Sequence, residues 1–400
     1  MKRPACVVAV LILSLCLSFA SGFEFEIVPA AGPLFKEPVA DPYSFVSRIH
    51  IQKALDPNQR PTRIKAAVKI VDGSSTTTDY IMLPVSDNMV ADPDKYSNYL
   101  EMRLGTSASL ARVRYDGNEK IPSIDAELTI GGALNTLFMI FNSSASLGFD
   151  GTWMAGASIR VGDVFTIRGG MHHFSGHYGD EILDDFYERN RVDFNNGRKI
   201  NADFEGLEEG KDYYIHNLVE YVRDNYWIVG ASVDLPFGLR FYGELEWPFK
   251  DVWLRPFSST PAGHNTQSGT PLLEYVGGSS EGFTEEQVQD ELKRKTGTGY
   301  NALRAHVGFE FFFDISRAVS VFVSADLQFH QDGQTKHMPN SYSPDNPWER
   351  EFNIAGGLEL GDFLPGRHVR IEIGYHDGRV STTDWFYQRC EIAYIGLSIG

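Results

Sequence analysis

The chain has 400 residues, 42% of them hydrophobic and 13% aromatic, with 53 acidic against 36 basic side chains and a net charge of −17. Such acidity excludes nucleic-acid binding, which rests on basic patches. After the first twenty residues no stretch approaches the roughly 20 apolar residues of a spanning helix, so a membrane crossing would have to use strands.

Residues 1–20 read as an export signal. Lys2 and Arg3 form a positive start, Val7 to Leu17 an apolar run, and Ser18-Phe19-Ala20 a small-x-small cleavage site. Cys16 would suit a lipid anchor only if the residue before it were small, and it is Leu15. Removing the signal leaves Cys390 as the single cysteine and a charge of −19. A long exported chain that cannot form an internal disulfide fits the bacterial envelope better than a small stapled module.

Residues 21–95 read as a lead-in, a periplasmic or plug segment. Phe23, Phe25 and Ile27 alternate with Glu24 and Glu26. Pro33, Pro38 and Pro42 then forbid continuous pairing. Weak strands follow at 44–51 and 64–71.

From 96 to 400 the chain is a succession of strands. Period-two alternation places them at 98–104, 106–115, 123–131, 134–142, 152–161, 163–175, 185–194, 213–223, 226–235, 238–247, 299–313, 317–330, 351–361, 366–376 and 387–399. In 367–375, Val369, Ile371, Ile373 and Tyr375 oppose His368, Arg370 and Glu372. A soluble sandwich, the alternative architecture and a periplasmic binding module, would use strands of about five or six residues. These reach the 9–11 or so residues of a tilted transmembrane strand.

Short turns at Asn225, 236–238 and 314–316 contrast with long polar stretches at 195–212, 248–298 and 331–350, as in transmembrane barrels. The longest holds a capping box, Thr284-Glu285-Glu286-Gln287, opening a short helix to Lys295. Aromatics at strand ends (Tyr226, Trp227, Trp247, Trp253, Trp385 to Tyr387) match interfacial girdles. The last strand ends on Gly400 instead of a terminal aromatic, with Tyr394 as its nearest substitute.

The fold expected is therefore all-β: an antiparallel up-and-down transmembrane barrel of about 12 strands, range 10–14, in the bacterial outer membrane. Its leading function is a channel or a surface structural role. Glu244, Glu246, Glu310, Asp326, Arg370 and Glu372 are the candidate lumen-lining residues, and their acidic balance predicts cation preference. The partners implied are membrane lipid or lipopolysaccharide and the barrel-assembly machinery.

The densest chemistry lies in 163–181, D-V-F-T-I-R-G-G-M-H-H-F-S-G-H-Y-G-D-E. Parity puts His173, Ser175 and His177 on one strand face and His172 and Phe174 on the other. An imidazole two residues from a hydroxyl can act as its general base, with Asp180, Glu181 or an Asn of a neighbouring strand orienting it. That makes an acylhydrolase the alternative function. His173 with His177, or His172 with Asp180 and Glu181, could also ligate a metal; sharing one ion requires a turn near Ser175–Gly176, since residues four apart on a strand are about 13 Å apart. No cofactor or metal is expected. Histidines placed structurally at the membrane rim are the plainest reading, and Asp184–Arg191 reads as a solvated ion-pair network.

Several segments resemble a bacterial family of exported β-rich proteins of unknown function, read as outer-membrane barrels. They are P-L-F-K-E-P-V-A-D-P (33–42), L-F-M-I-F-N and L-G-F-D (within 137–150), H-F-S-G-H-Y-G-D-E (173–181), I-H-N-L-V-E-Y (215–221) and G-L-R-F-Y-G (238–243). This chain departs from that family's H-x-S-x-H-x-G-D-E pattern at Gly176, where a second serine is usual. The H-x-S-G segment is also similar to the H-x-S-N-G strand of outer-membrane phospholipase A, and less closely to the H-x-S of lipid A deacylases. That likeness implies a lipid-facing His173–Ser175 pair, with Gly176 standing where the phospholipase has Asn.

Overall fold

The computed structural model describes residues 23–29, 31–56, 60–92, 94–141, 145–201, 207–218, 225–248, 303–330, 349–364, 367–382, 385 and 388–400. The export signal and the helix at 284–295 lie outside them.

The first half of the chain forms β1 (Phe23–Ile27), β2 (Ser47–Ala54), β3 (Arg63–Asp72), β4 (Ser75–Pro84), α1 (Asp87–Ala91), β5 (Asn98–Tyr115), β6 (Ile124–Met139), β7 (Ser146–Val161) and β8 (Phe165–Tyr178). Then come α2 (Asp180–Arg189), β9 (Asp212–Leu218), β10 (Asn225–Leu235), β11 (Leu239–Pro248) and β12 (Arg304–Ser316). β13 (Val319–His330), β14 (Glu349–Leu364), β15 (Arg367–Arg379) and β16 (Arg389–Ile399) complete it. β2, β5 to β8 and β10 to β16 pair antiparallel in a ring, and the β5–β6 ladder closes it into a 12-stranded barrel. The all-β, twelve-strand expectation holds.

Four details differ from the sequence reading. Residues 98–104 and 106–115 are one strand, β5, and 123–131 and 134–142 are likewise one, β6. The barrel begins at β2, inside the expected lead-in: Arg48, His50 and Gln52 are buried while only Ile49 and Ile51 supply an apolar outer row, too short a pattern to read. The strand placed at 185–194 is mostly helix, because Ile182 and Phe186, four apart, bury one face of α2. Asn225 opens β10 instead of making a turn.

The barrel wall partitions its side chains in reverse. Along β15, Ile371 and Ile373 are exposed while Arg370 and Glu372 are buried. Along β12, Val307, Phe309, Phe311 and Phe313 are exposed while His306 and Glu310 are buried. An apolar outer surface of this extent is a surface for lipid, not water. Among the described residues no helix could cross a membrane; the strands do.

The two ends of the barrel differ. At one, residues 162–164, 236–238 and 317–318 make tight turns. At the other, β3, β4 and β9 form a separate sheet that packs with α2 on the strand ends. Ile64, Val68, Leu83, Ile182, Phe186 and Ile215 of this cap share one core with Leu137, Leu147 and Ile392 of the wall. Trp385 is fully buried there and its indole N–H donates to the Leu147 carbonyl at 2.8 Å. Trp385 therefore belongs to the cap, not to an interfacial girdle, and Tyr226 is likewise buried. Tyr394 also turns inward, stacked on His50.

The chain between β1 and β2 fills the lumen. Both strands pair with the same edge of β5, β1 at 111–115 and β2 at 98–103, and residues 31–46 leave the wall between them and run inside. Prolines stop this segment from pairing as a strand, so its backbone groups need other partners. Side chains of the wall supply them. Glu127 accepts from Leu34 N (2.6 Å), Glu310 from Val39 N (2.7 Å), and Arg103 donates to the carbonyls of Pro42 (2.6 Å) and Tyr43 (2.9 Å). Arg168 lies over the Phe35 ring at 4.2 Å and Arg304 over Tyr43 at 4.6 Å.

Two wall glycines make room for Phe45. A Cβ at Gly105 would lie 2.8 Å from the Phe45 carbonyl, and one at Gly131 2.9 Å from its ring. Gly131→Val should therefore displace the ring and destabilise the protein by ~1–3 kcal/mol. Gly132→Val, where a Cβ meets only a carbonyl at 3.5 Å, is the tolerated control; equal urea midpoints for the two variants would contradict the packing. The barrel itself should migrate differently in unboiled and boiled gel samples and need detergent for extraction.

Candidate functional site

The long strand β8 carries the histidine segment across the wall without a turn. Its alternation sorts that segment by face. His172, Phe174 and Tyr178 are buried inside, while His173, Ser175 and the exposed His177 point out. Because the strand continues through Ser175 and Gly176 to Tyr178, the turn that a His173–His177 metal site requires is missing.

On the outside, His173 stacks against Trp153 of β7, centroids 5.6 Å apart at 24°. Its Nδ1 is buried without a hydrogen-bond partner. Ser175 lies opposite Gly151, whose missing side chain leaves the hydroxyl open. On the other flank, β10 begins with Asn225 directly opposite His173. Direct partners in an antiparallel pair share a face, with Cβ atoms about 4.5–5.5 Å apart. His173, Ser175 and Asn225 therefore stand on one outward surface. A groove of about 440 Å³ contains His173 and Ser175 and is flanked by Leu104, Leu134 and Trp153. Leu104 and Leu134 are 68% and 63% exposed, so the groove opens on the lipid-facing belt.

His173 and Ser175 are not hydrogen-bonded to each other. To act as a pair, the imidazole would turn off Trp153, and catalytic contacts are commonly loose before substrate binds. Asp180 and Glu181 are exposed in the first turn of α2, where carboxylates favour a helix N-terminus. They follow the inward-facing Tyr178 and share no row with His173. His172 is held structurally: its Nε2 is 2.7 Å from Thr152 Oγ1 and its Nδ1 2.9 Å from the Tyr226 hydroxyl.

The six lumen candidates are all buried and each has an ionisable neighbour. Glu244 accepts from Arg168 at 2.6 Å, and Glu246 from Arg304 at 3.2 Å. Glu310 accepts from Arg240 at 3.0 Å, and Arg370 donates to Glu359 at 2.8 Å. Glu372 lies 2.6 Å from His50, and Asp326 lies 2.9 Å from His306. Asn225 and the ring of arginines were invisible as site residues in the sequence. Only strand register, which alternation does not fix, brings them to their partners.

No protein-family model matches the chain, and no curated protein sequence matches it. Solved structures similar to it are barrels. Outer membrane phospholipase A from Escherichia coli is 9% identical over 93% of this chain and 96% of that one, TM-score 0.37. A Salmonella typhi outer membrane phospholipase dimer with bound calcium is 8% identical over 89% and 90%, TM-score 0.38. The NanC porin is 11% identical over 84% and 99%, TM-score 0.33. At these identities and TM-scores, function has to be argued from the chain's own residues.

Proposed function

We propose that this protein is an outer-membrane barrel that hydrolyses acyl esters of membrane lipid at its outer surface. Ser175 is the nucleophile, His173 the general base, and Asn225 the amide that orients the imidazole. One observation carries this reading: the β8–β10 register sets Asn225 opposite His173, on the face that Ser175 shares. Export, a closed barrel and an apolar belt support the outer membrane as its location.

The chemistry follows from the roles. Ser175 Oγ attacks the ester carbonyl while His173 takes its proton, and His173 then returns that proton to the departing alcohol. Water hydrolyses the acyl-serine by the same proton path. An amide in place of a carboxylate can orient the ring as a hydrogen-bond acceptor, as in Cys-His-Asn proteases. Lipid reaches the groove laterally, past Leu104 and Leu134, without entering the lumen.

Ser175→Ala should abolish acyl release from phospholipid or lipopolysaccharide in mixed micelles, with calcium present or absent. His173→Ala should lower it ~10²–10⁴-fold, the span of general acid–base catalysis. Asn225→Ala should fall between these and wild type. All three should fold, because the residues are only half-buried on the outer face. No acyl release by the wild-type protein would sink the reading.

A channel is the second reading, favoured by cavities of about 910 and 350 Å³ at the tight-turn end. Both are lined by polar side chains of the wall and by residues 36–37 of the lumen segment. Steady conduction needs residues 31–46 to leave the lumen. The intact protein is therefore expected to show no stable conductance in planar bilayers. Discrete steps with cation-selective reversal potentials would favour the channel, since acidic side chains in a pore stabilise cations.

A further inference from the structure

Three separate parts of the fold converge inside the barrel, on the face opposite the proposed hydrolytic group. Asp41 comes from the lumen segment, His306 from β12 and Asp326 from β13, and all three are buried. One ligand atom of each lies within 4.8 Å of the other two. His306 Nδ1 is 2.9 Å from Asp326 Oδ2, and its Nε2 is 3.7 Å from Glu244 Oε2. Asp326 is 1% exposed; its Oδ2 accepts from the Tyr242 hydroxyl at 2.8 Å, while its Oδ1 is buried with no hydrogen-bond partner among the described residues. Asp41 is already oriented, its Oδ1 accepting from the Gln328 amide and the Tyr43 N–H, each at 2.9 Å.

A buried carboxylate oxygen without a donor is costly, and grouped carboxylates demand a cation. Arg304 meets Asp41 at 3.4 Å, and among the described residues no guanidinium is paired with Asp326. One imidazole nitrogen with two carboxylate oxygens is a donor set for a divalent first-row ion such as zinc. Bond lengths to zinc of ~2.0–2.2 Å bring tetrahedral ligands to ~3.5 Å of each other. The three ligand atoms, all within 4.8 Å of one another, reach that spacing with shifts of about an ångström.

We propose that Asp41, His306 and Asp326 form a divalent-metal site that fastens the lumen segment to the barrel wall. Two ligands belong to paired strands and the third to a segment held only by side chains, so the ion acts as a staple between them. Binding the folded arrangement alone, it raises stability by mass action.

The test uses the full chain without a histidine tag, stripped with EDTA in detergent and titrated with zinc chloride. One zinc per chain is expected, together with a higher thermal transition of the zinc-loaded protein. His306→Gln and Asp41→Asn should each weaken zinc binding by ~10-fold or more. Residue 41 takes part in no strand pairing, so Asp41→Asn leaves the barrel able to form even if His306→Gln does not. Three results would overturn the proposal: no stoichiometric zinc on the wild type, wild-type affinity in Asp41→Asn, or zinc binding that leaves the thermal transition unmoved. Acyl-release assays do not bear on the outcome.

Discussion

Reverse partition governs everything else in this molecule. A strand whose alternate residues face hydrocarbon must send its charges inward, and a closed ring of such strands concentrates them in a narrow space. Isolated charges there are costly, and arginines of the wall meet them in pairs: Arg168 with Glu244, Arg304 with Glu246, Arg240 with Glu310. The lumen segment answers the same demand. It brings carbonyls to Arg103 and amides to Glu127 and Glu310, and carries Glu37 to Arg168 at 3.1 Å and Asp41 to Arg304. The interior is therefore a polar core crossed by this segment, with cavities at its tight-turn end.

That division bears on function. A lumen crossed by a well-bonded segment offers no ready path for solute, whereas the outer wall presents three chemically suited side chains beside an apolar groove. Gly151 and Gly132 keep that groove open, and Trp153 gives the imidazole a resting place. The cap closes the opposite end from the tight turns with an apolar core of its own. Each end and each face of the barrel thus has a distinct character, set by which side chains the wall turns outward.

Much of this could be read from the chain because alternation is a local property. Fold class and the facing of His173 and Ser175 follow from period two, whereas alternation alone divides β5 and β6 and so overcounts the strands. What depended on register could not be read. Asn225 lies fifty residues beyond Ser175, and the charge partners of the wall come from strands far apart in sequence. The helix at Asp180–Arg189 was hidden because its six charged residues resemble a solvated strand end, and only the spacing of Ile182 and Phe186 betrays it. β2 was legible only as a weak strand of the lead-in, since its inward polar residues do not mark it as part of a barrel until the ring surrounds them.

The shared edge of β5 also constrains the order in which the molecule can be made. β2 follows the lumen segment directly and pairs on its far side with β16, the last strand of the chain. Sealing that seam joins residues more than three hundred positions apart, a contact of high closure cost that forms late. The segment between β1 and β2 is anchored at both ends to that one edge of β5, so it travels with the sheet as the seam closes and is enclosed by the strands whose side chains it bonds.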